Sequence, residues 1–140
     1  MREIKFRGWD ATGQKGWVFG DLVHNKKVCK EEPFLRDRVM VGGYEVVPES
    51  VGQFTGMKDC YGFDIYEGDV VAIGIFLNRP TAVVMWKDCG FCVAHSVNPN
   101  IRPYELNLIK CDLQIVGTLY EGDWHEHETN ELIVDFKKEA

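Results

Sequence analysis

The stretch GQFTGMKDCYGFDIYEGDVV, running from Gly52 to Val71, decides the fold. It sets four glycines and three aspartates among aromatic and β-branched residues, a composition that punctuates strands and does not build a helix. Glycine reaches positive φ without steric cost and aspartate closes turns through its side chain, so Gly56 and Gly62 predict backbone reversals. Tyr66-Glu67-Gly68-Asp69 turns the chain again before Val70-Val71-Ala72-Ile73, whose β-branched side chains predict a strand. No nucleophile stands beside a base here, and the stretch holds neither a metal-ligand cluster nor a phosphate cradle.

Upstream, Glu3 to Trp9 alternates polar or small residues with apolar ones at period two, the mark of a half-buried strand with Ile4 and Phe6 facing inward. Asp10 to Gly16 is a turn, and Trp17 to Val23 resumes as a strand with a bulge at Gly20. The polar, basic segment His24 to Pro33 reads as a reversal or an exposed excursion. Val39 to Val47 holds a strand broken by Gly42-Gly43. Downstream, Val70 to Leu77 reads as a buried strand and Asn78-Arg79-Pro80 as its turn. Thr81 to Trp86 and Phe91 to His95 flank Lys87-Asp88-Cys89-Gly90 as a hairpin. Asn98 to Pro103 is a loop, and Tyr104 to Ile109 and Leu113 to Tyr120 supply two more strands. The fold class is mainly β, a small barrel or sandwich of short antiparallel strands with little helix. In 122–140, Leu132, Ile133, Val134 and Phe136 alternate as in a strand, whereas the Glu-rich flanks suit a terminal helix.

A chain of 140 residues suits a single domain, 1–140, with the β-rich core ending near residue 121; at this size roughly 68–70% of the unfolded surface is buried. The 45% hydrophobic and 27% charged fractions are those of a soluble globular protein. No apolar run approaches the ~20 residues that cross a bilayer, and Met1 to Arg7 lacks the apolar region of a signal peptide, so the expected location is cytoplasmic. Cys29, Cys60, Cys89, Cys92 and Cys111 are irregularly spaced and odd in number, which predicts reduced thiols. Residues 1–56 carry nine Lys/Arg against eight Asp/Glu, and 57–140 carry seven against fourteen. The acidic second part repels polyanions and disfavours nucleic acid as a ligand.

Candidate chemistry is sparse. Cys89-Gly90-Phe91-Cys92 lacks the helix N-terminus that activates a redox pair and the second ligand pair that a zinc knuckle needs, with only Cys60, His95 or Cys111 left to converge on it. A hairpin turn flanked by buried small thiols is the better reading. His125-Glu126-His127 would share a metal only on a strand, and an acidic solvated tail is the default. Glu67 with Asp69, and Glu121 with Asp123, fit turn-forming roles; the echo Tyr66-Glu67-Gly68-Asp69 and Tyr120-Glu121-Gly122-Asp123 is an aromatic anchor followed by a turn. Ser50 and Ser96 lie in no catalytic motif, and no P-loop, GxGxxG or nucleophile elbow occurs. An enzyme is the class with least support. The expected catalytic, metal and cofactor residues are therefore none, and no binding residue is singled out. Among Trp9, Trp17, Trp86, Trp124, Tyr44, Tyr61 and Tyr104, most are expected in the core and some at an interface.

Three blocks carry a family resemblance: Met1 to Asp10 (MREIKFRGWD), Gln53 to Val71, and Ile115-Val116-Gly117-Thr118-Leu119-Tyr120-Glu121. In this order they resemble the YopX family of phage and prophage proteins. The resemblance implies a phage or prophage origin, hence a bacterial host cytoplasm, an SH3-like β-barrel element and a homo-oligomer. It brings no catalytic residues to carry over. The chain departs from the family after Glu121, where Gly122-Asp123-Trp124-His125 stands in place of the usual Asn-Pro and short helix, and in the thiols Cys89 and Cys92. The expected function is a non-enzymatic, self-associating accessory protein that binds a protein partner, with no cofactor and no membrane. The alternative is a small nucleic-acid-binding barrel using Lys26, Lys27, Lys30, Arg36 and Arg38 in the basic 24–38 region.

Overall fold

The computed structural model describes residues 2–28, 30, 35–74, 81–87, 89–94, 104–105 and 113–121. They form twelve strands and one short 3-10 turn, arranged as antiparallel sheets, and none of the three sheets closes on itself among the described residues. The mainly β expectation holds. The chain divides into two compact units, Met1–Phe54 and Thr55–Ala140.

In the first unit, β1 (Phe6–Trp9) pairs antiparallel with β2 (Trp17–Gly20). The turn between them is knotted by Asp10, whose carboxylate accepts from the Thr12 N–H, the Thr12 hydroxyl and the Lys15 N–H. These hydrogen bonds, the Thr12 hydroxyl foremost, hold the Asp10 carboxyl below the usual carboxylate pKa. After Gly20 the chain enters β3 (Leu22–Val28), which pairs along its whole length with β4 (Leu35–Val41); β4 in turn pairs with β5 (Tyr44–Val46). The β4–β5 turn is Gly42-Gly43, with φ of 60° and 87°, the two positive values of a type I′ hairpin. A 3-10 turn, Pro48–Ser50, follows; the buried Ser50 hydroxyl accepts from the Trp9 N–H at 2.7 Å and donates to the Val47 carbonyl. Val18, Val41 and Val46 form the core, with Phe6, Leu22, Val39 and Val51 packed on it.

Three expectations fail in this unit. Ile4 is 56% exposed, ahead of the strand it was expected to belong to, although Phe6 does pack inward. Trp17 to Val23 is not one bulged strand: the chain breaks at Asp21, and Gly20 lies so close to Gly42 that a Cβ would stand 2.8 Å from the Gly42 Cα. His24 to Val28 is neither reversal nor excursion but most of a seven-residue strand. Its polar side chains hide the strand because both of its faces leave the core over most of its length.

β6 (Gly52–Lys58) pairs with β1 at Gly52 and Gln53 and carries the chain into the second unit. Gly56, at φ 88°, sits inside β6 and does not reverse the chain. The reversal is Asp59 to Phe63, which delivers β7 (Asp64–Tyr66), and Tyr66 to Asp69 then turns the chain into β8 (Asp69–Ile73). Asp69, fully buried, accepts the Tyr66 N–H at 2.7 Å, so the Asp of that turn closes it as expected. β8, β9 (Thr81–Lys87), β10 (Gly90–Ala94) and β11 (Tyr104–Glu105) pair in succession, and β12 (Leu113–Thr118) returns to pair with β8. Ile65, Val71, Ala82, Val84, Val93 and Leu113 form the core. The turn expected at Asn78 to Pro80, the loop from Asn98, most of the strand expected at Tyr104 to Ile109, and 122–140 lie outside the described residues.

Candidate functional site

The β3–β4 ribbon is the most exposed regular element of the first unit. Its register places Val23, Asn25 and Lys27 on one face with Met40, Arg38 and Arg36, and Leu22, His24, Lys26 and Val28 on the other with Val41, Val39, Asp37 and Leu35. The second face is the core face where Leu22, Val39 and Val41 lie, but it runs on past the core to Val28 and Leu35, 71% and 55% exposed. Polar pairs bridge the strands on both faces. Arg38 donates to the Asn25 amide oxygen at 2.7 Å, Lys26 lies 3.8 Å from Asp37, and Arg36 and Lys27 both reach Glu45, at 3.1 and 3.9 Å. In the basic 24–38 region, then, Lys26, Lys27 and Arg36 meet carboxylates within the same sheet, and Arg38 meets the Asn25 amide.

A second surface feature stands in the other unit, on the reversal after β6. Asp59 is buried and acts as a clamp: one carboxylate oxygen accepts the Tyr61 and Phe63 N–H groups at 3.0 and 2.9 Å, and the other accepts the Ile115 N–H at 3.2 Å. The backbone adds Asp59 N–H to the Phe63 carbonyl and Cys60 N–H to the Leu113 carbonyl, both at 2.8 Å. With the Gly62 N–H donating to the Asp59 carbonyl as well, at 3.0 Å, a turn tied in this way holds Tyr61 and Phe63 outward, at 69% and 67% exposure. Rigid aromatic side chains of this kind are common anchors at protein interfaces. Tyr61 is one of the aromatics expected mostly in the core and in part at an interface, and it is not in the core; Phe63 stands outside that set. Its signal was available in the sequence, since Asp59 and Gly62 mark a turn, and an aromatic inside a tight turn is poorly placed to reach a core.

The other sequence candidates disperse. Cys89 is exposed at the β9–β10 turn with φ 65°, whereas Cys92 is buried on β10 with its thiol 3.6 Å from the Met85 carbonyl; only one of the two thiols is the buried small residue expected. Ser50 is a structural bridge. Trp9 and Trp17 meet edge to face at 5.3 Å, with the Arg7 guanidinium 4.4 Å over Trp17. Trp86 packs edge to face on its cross-strand neighbour Phe91 at 4.8 Å, yet half of it is exposed. Tyr44 is exposed beside Lys15. His95, Cys111, Trp124, His125 and His127 lie outside the described residues, as does the side chain of Tyr104. Among the described residues no three His, Cys, Asp or Glu side chains are placed to hold a metal ion, and no helix is long and apolar enough to cross a membrane.

Comparison with known proteins adds the family and the fold. No curated protein matches the chain. Among solved structures it is similar to protein EF1440 from Enterococcus faecalis, at 18% sequence identity and a TM-score of 0.50, over 95% of this chain and 99% of that one. At that identity the likeness concerns the fold alone. The family model described as YopX protein matches residues 5–123, most of the length, and the chain belongs to the YopX family.

Proposed function

We propose that this chain is a phage or prophage accessory protein of the host cytoplasm that acts by binding and not by catalysis, associating with itself and with a protein partner. The observation that carries this reading is the surface. Large apolar side chains stand exposed on elements that are themselves held rigid, at the Asp59-clamped turn and along the β3–β4 ribbon. Meanwhile Ser50, Asp10, Asp59 and Asp69 are engaged in closing turns. Preorganised anchors reduce the ordering cost of association. The strand order β11-β10-β9-β8-β12, in which the last strand returns to the first of a meander, supports the SH3-like element in the second unit.

The test has two parts. Sedimentation equilibrium at micromolar concentration should give a mass above the monomer's 16.0 kDa. A pull-down from lysed host cells, with and without nuclease, should recover a protein whose binding survives nuclease and falls when Tyr61 and Phe63 are both replaced by Ser. A monomer with no nuclease-resistant partner would sink the proposal. The nucleic-acid alternative draws on one observation, the alignment of Lys27, Arg36 and Arg38 on one ribbon face. Glu45 amid that face and the net charge of −6 place it second, and unchanged low-salt binding of DNA and RNA after Lys26, Lys27 and Lys30 are replaced would remove it.

A further inference from the structure

The self-association proposed above leaves open which surface two copies share, and the edge of β3 carries an answer. Among the described residues β3 is an outer strand of its sheet, seven residues long. The Gly42 N–H donates to the Asp21 carbonyl at 3.1 Å, and Asp21 stands directly opposite Gly42 in the β3–β4 register. In an antiparallel pair, hydrogen-bonded positions alternate with positions whose backbone groups face away. Val23, Asn25 and Lys27 therefore bond toward β4, while Leu22, His24, Lys26 and Val28 turn their N–H and C=O groups outward. The type I′ turn agrees: Val41, which opposes Leu22, bonds on its other side to Tyr44 across Gly42-Gly43.

We propose that a second copy of this chain adds its own β3 antiparallel to this edge about a two-fold axis through Asn25, joining two three-stranded sheets into one of six strands. This deepens the self-association reading and rests on it. The register follows from the side chains. With the axis at Asn25, all seven residues pair: Leu22 of each copy opposes Val28 of the other, Val23 opposes Lys27, and His24 opposes Lys26. The outward positions then meet outward positions, as the ladder requires. The exposed Val28 and Val23 gain an apolar neighbour and a lysine stem, and Lys27 comes diagonally beside Asp21 of the other copy. Moving the axis one residue forward would set Lys26 against Lys26. Moving it one residue back would leave Val28 opposite Gly20. Lysines on an edge strand normally deter such pairing, but here Lys26 already faces Asp37 and Lys27 already reaches Glu45 within the sheet.

Two variants of the full chain test this. His24→Pro removes an outward N–H and leaves the β4-facing positions intact, a place where an edge strand tolerates proline. Its far-UV circular dichroism should match the parent protein, and its self-dissociation constant in sedimentation equilibrium should rise by roughly tenfold or more, as loss of paired hydrogen bonds and steric blocking require. Asn25→Cys sits at a non-hydrogen-bonded pair on the axis, where opposing Cα atoms come within about 4.5 Å, inside disulfide range. Under mild oxidation it should yield a covalent dimer, with a peptide joining position 25 of both copies in mass spectrometry, which also separates it from products of the exposed Cys60 and Cys89. If His24→Pro associates as strongly as the parent and position 25 never cross-links, the β3 interface is wrong while self-association stands. If the parent chain is itself monomeric, both fall. Should His24→Pro fail to fold, the cross-link decides.

Discussion

Two hairpins of this protein, β3–β4 and β9–β10, are built from strands of similar length and held in opposite ways. β9 and β10 read as nearly continuous apolar runs, and Ala82, Val83, Val84, Cys92, Val93 and Ala94 are buried. β3 and β4 are largely exposed beyond Leu22 and Val41, and are bridged by Arg38 to Asn25, Lys26 to Asp37, and Arg36 with Lys27 to Glu45. Burial therefore does not set strand length here. A ribbon anchored at one end by its core residues, and at the Gly42-Gly43 turn by geometry, extends outward on backbone pairing and polar contacts. Its contribution to the core of its own unit is confined to the end that carries Leu22, Val39 and Val41, and the side chains beyond that end stay largely exposed.

The largest effect separating the two hairpins comes from placing the same charge in each. Val84→Asp sets a carboxylate at a fully buried position among Ile65, Val71 and Leu113, with no cation among those neighbours, and should destabilise by more than about 4 kcal/mol, enough to unfold a marginal domain. Leu35→Asp, at an exposed ribbon position, loses only its pairing with Val28 and should change stability by less than about 1 kcal/mol. Urea denaturation followed by tryptophan fluorescence reads both. Similar losses in the two variants would mean that the ribbon is buried in solution.

The turns sharpen the contrast. Gly42→Ala forces a side chain into left-handed backbone and drives its Cβ onto the Phe19 carbonyl oxygen, which together should cost about 3 kcal/mol. Gly43→Ala shares the positive φ but meets open space, so its loss should be about 1–2 kcal/mol. Equal losses would mean that Phe19 moves aside. In the other hairpin the chain already carries a non-glycine residue at such a site. Cys89→Gly should relieve about 1–2 kcal/mol of left-handed strain against about 0.5–1 kcal/mol of added unfolded-state entropy. The expected outcome is a gain of roughly 0.5–1 kcal/mol, with Cys89→Ala as the control that leaves the backbone strained.

The same contrast explains what could be read from the sequence. Val70 to Ile73, Thr81 to Val84 and Phe91 to Ala94 announce themselves because a largely buried strand must be nearly continuous in apolar residues, and Leu113 to Thr118 does so through its β-branched Ile115, Val116 and Thr118. The glycine pair in Val39 to Val47 is legible for an equally local reason, since only glycine takes both positive φ values easily. His24 to Val28 is not legible, because the evidence for it lies in β4 and β5, ten or more residues away, in Arg38, Asp37 and Glu45, which meet Asn25, Lys26 and Lys27. The Asp59 clamp is hidden similarly: its Tyr61 and Phe63 bonds are local, but the contact with Ile115 spans 56 residues. Gly56 misleads because positive φ within a strand and positive φ at a reversal have the same sequence signature.

The smallest effect is expected from Lys26→Ala, and it bears on how the ribbon is held. Lys26 lies 3.8 Å from Asp37, with side chains 62% and 87% exposed. Water screens so open a pair and both side chains lose rotamer freedom to form it, so its contribution to stability should be below about 0.5 kcal/mol. Arg38→Ala removes the half-buried hydrogen bond to Asn25 and should cost more, near 1 kcal/mol. If Lys26→Ala proved the more damaging of the two, the surface charges would be holding the ribbon's register. The expected order instead assigns that role to the Asn25–Arg38 pair at its middle.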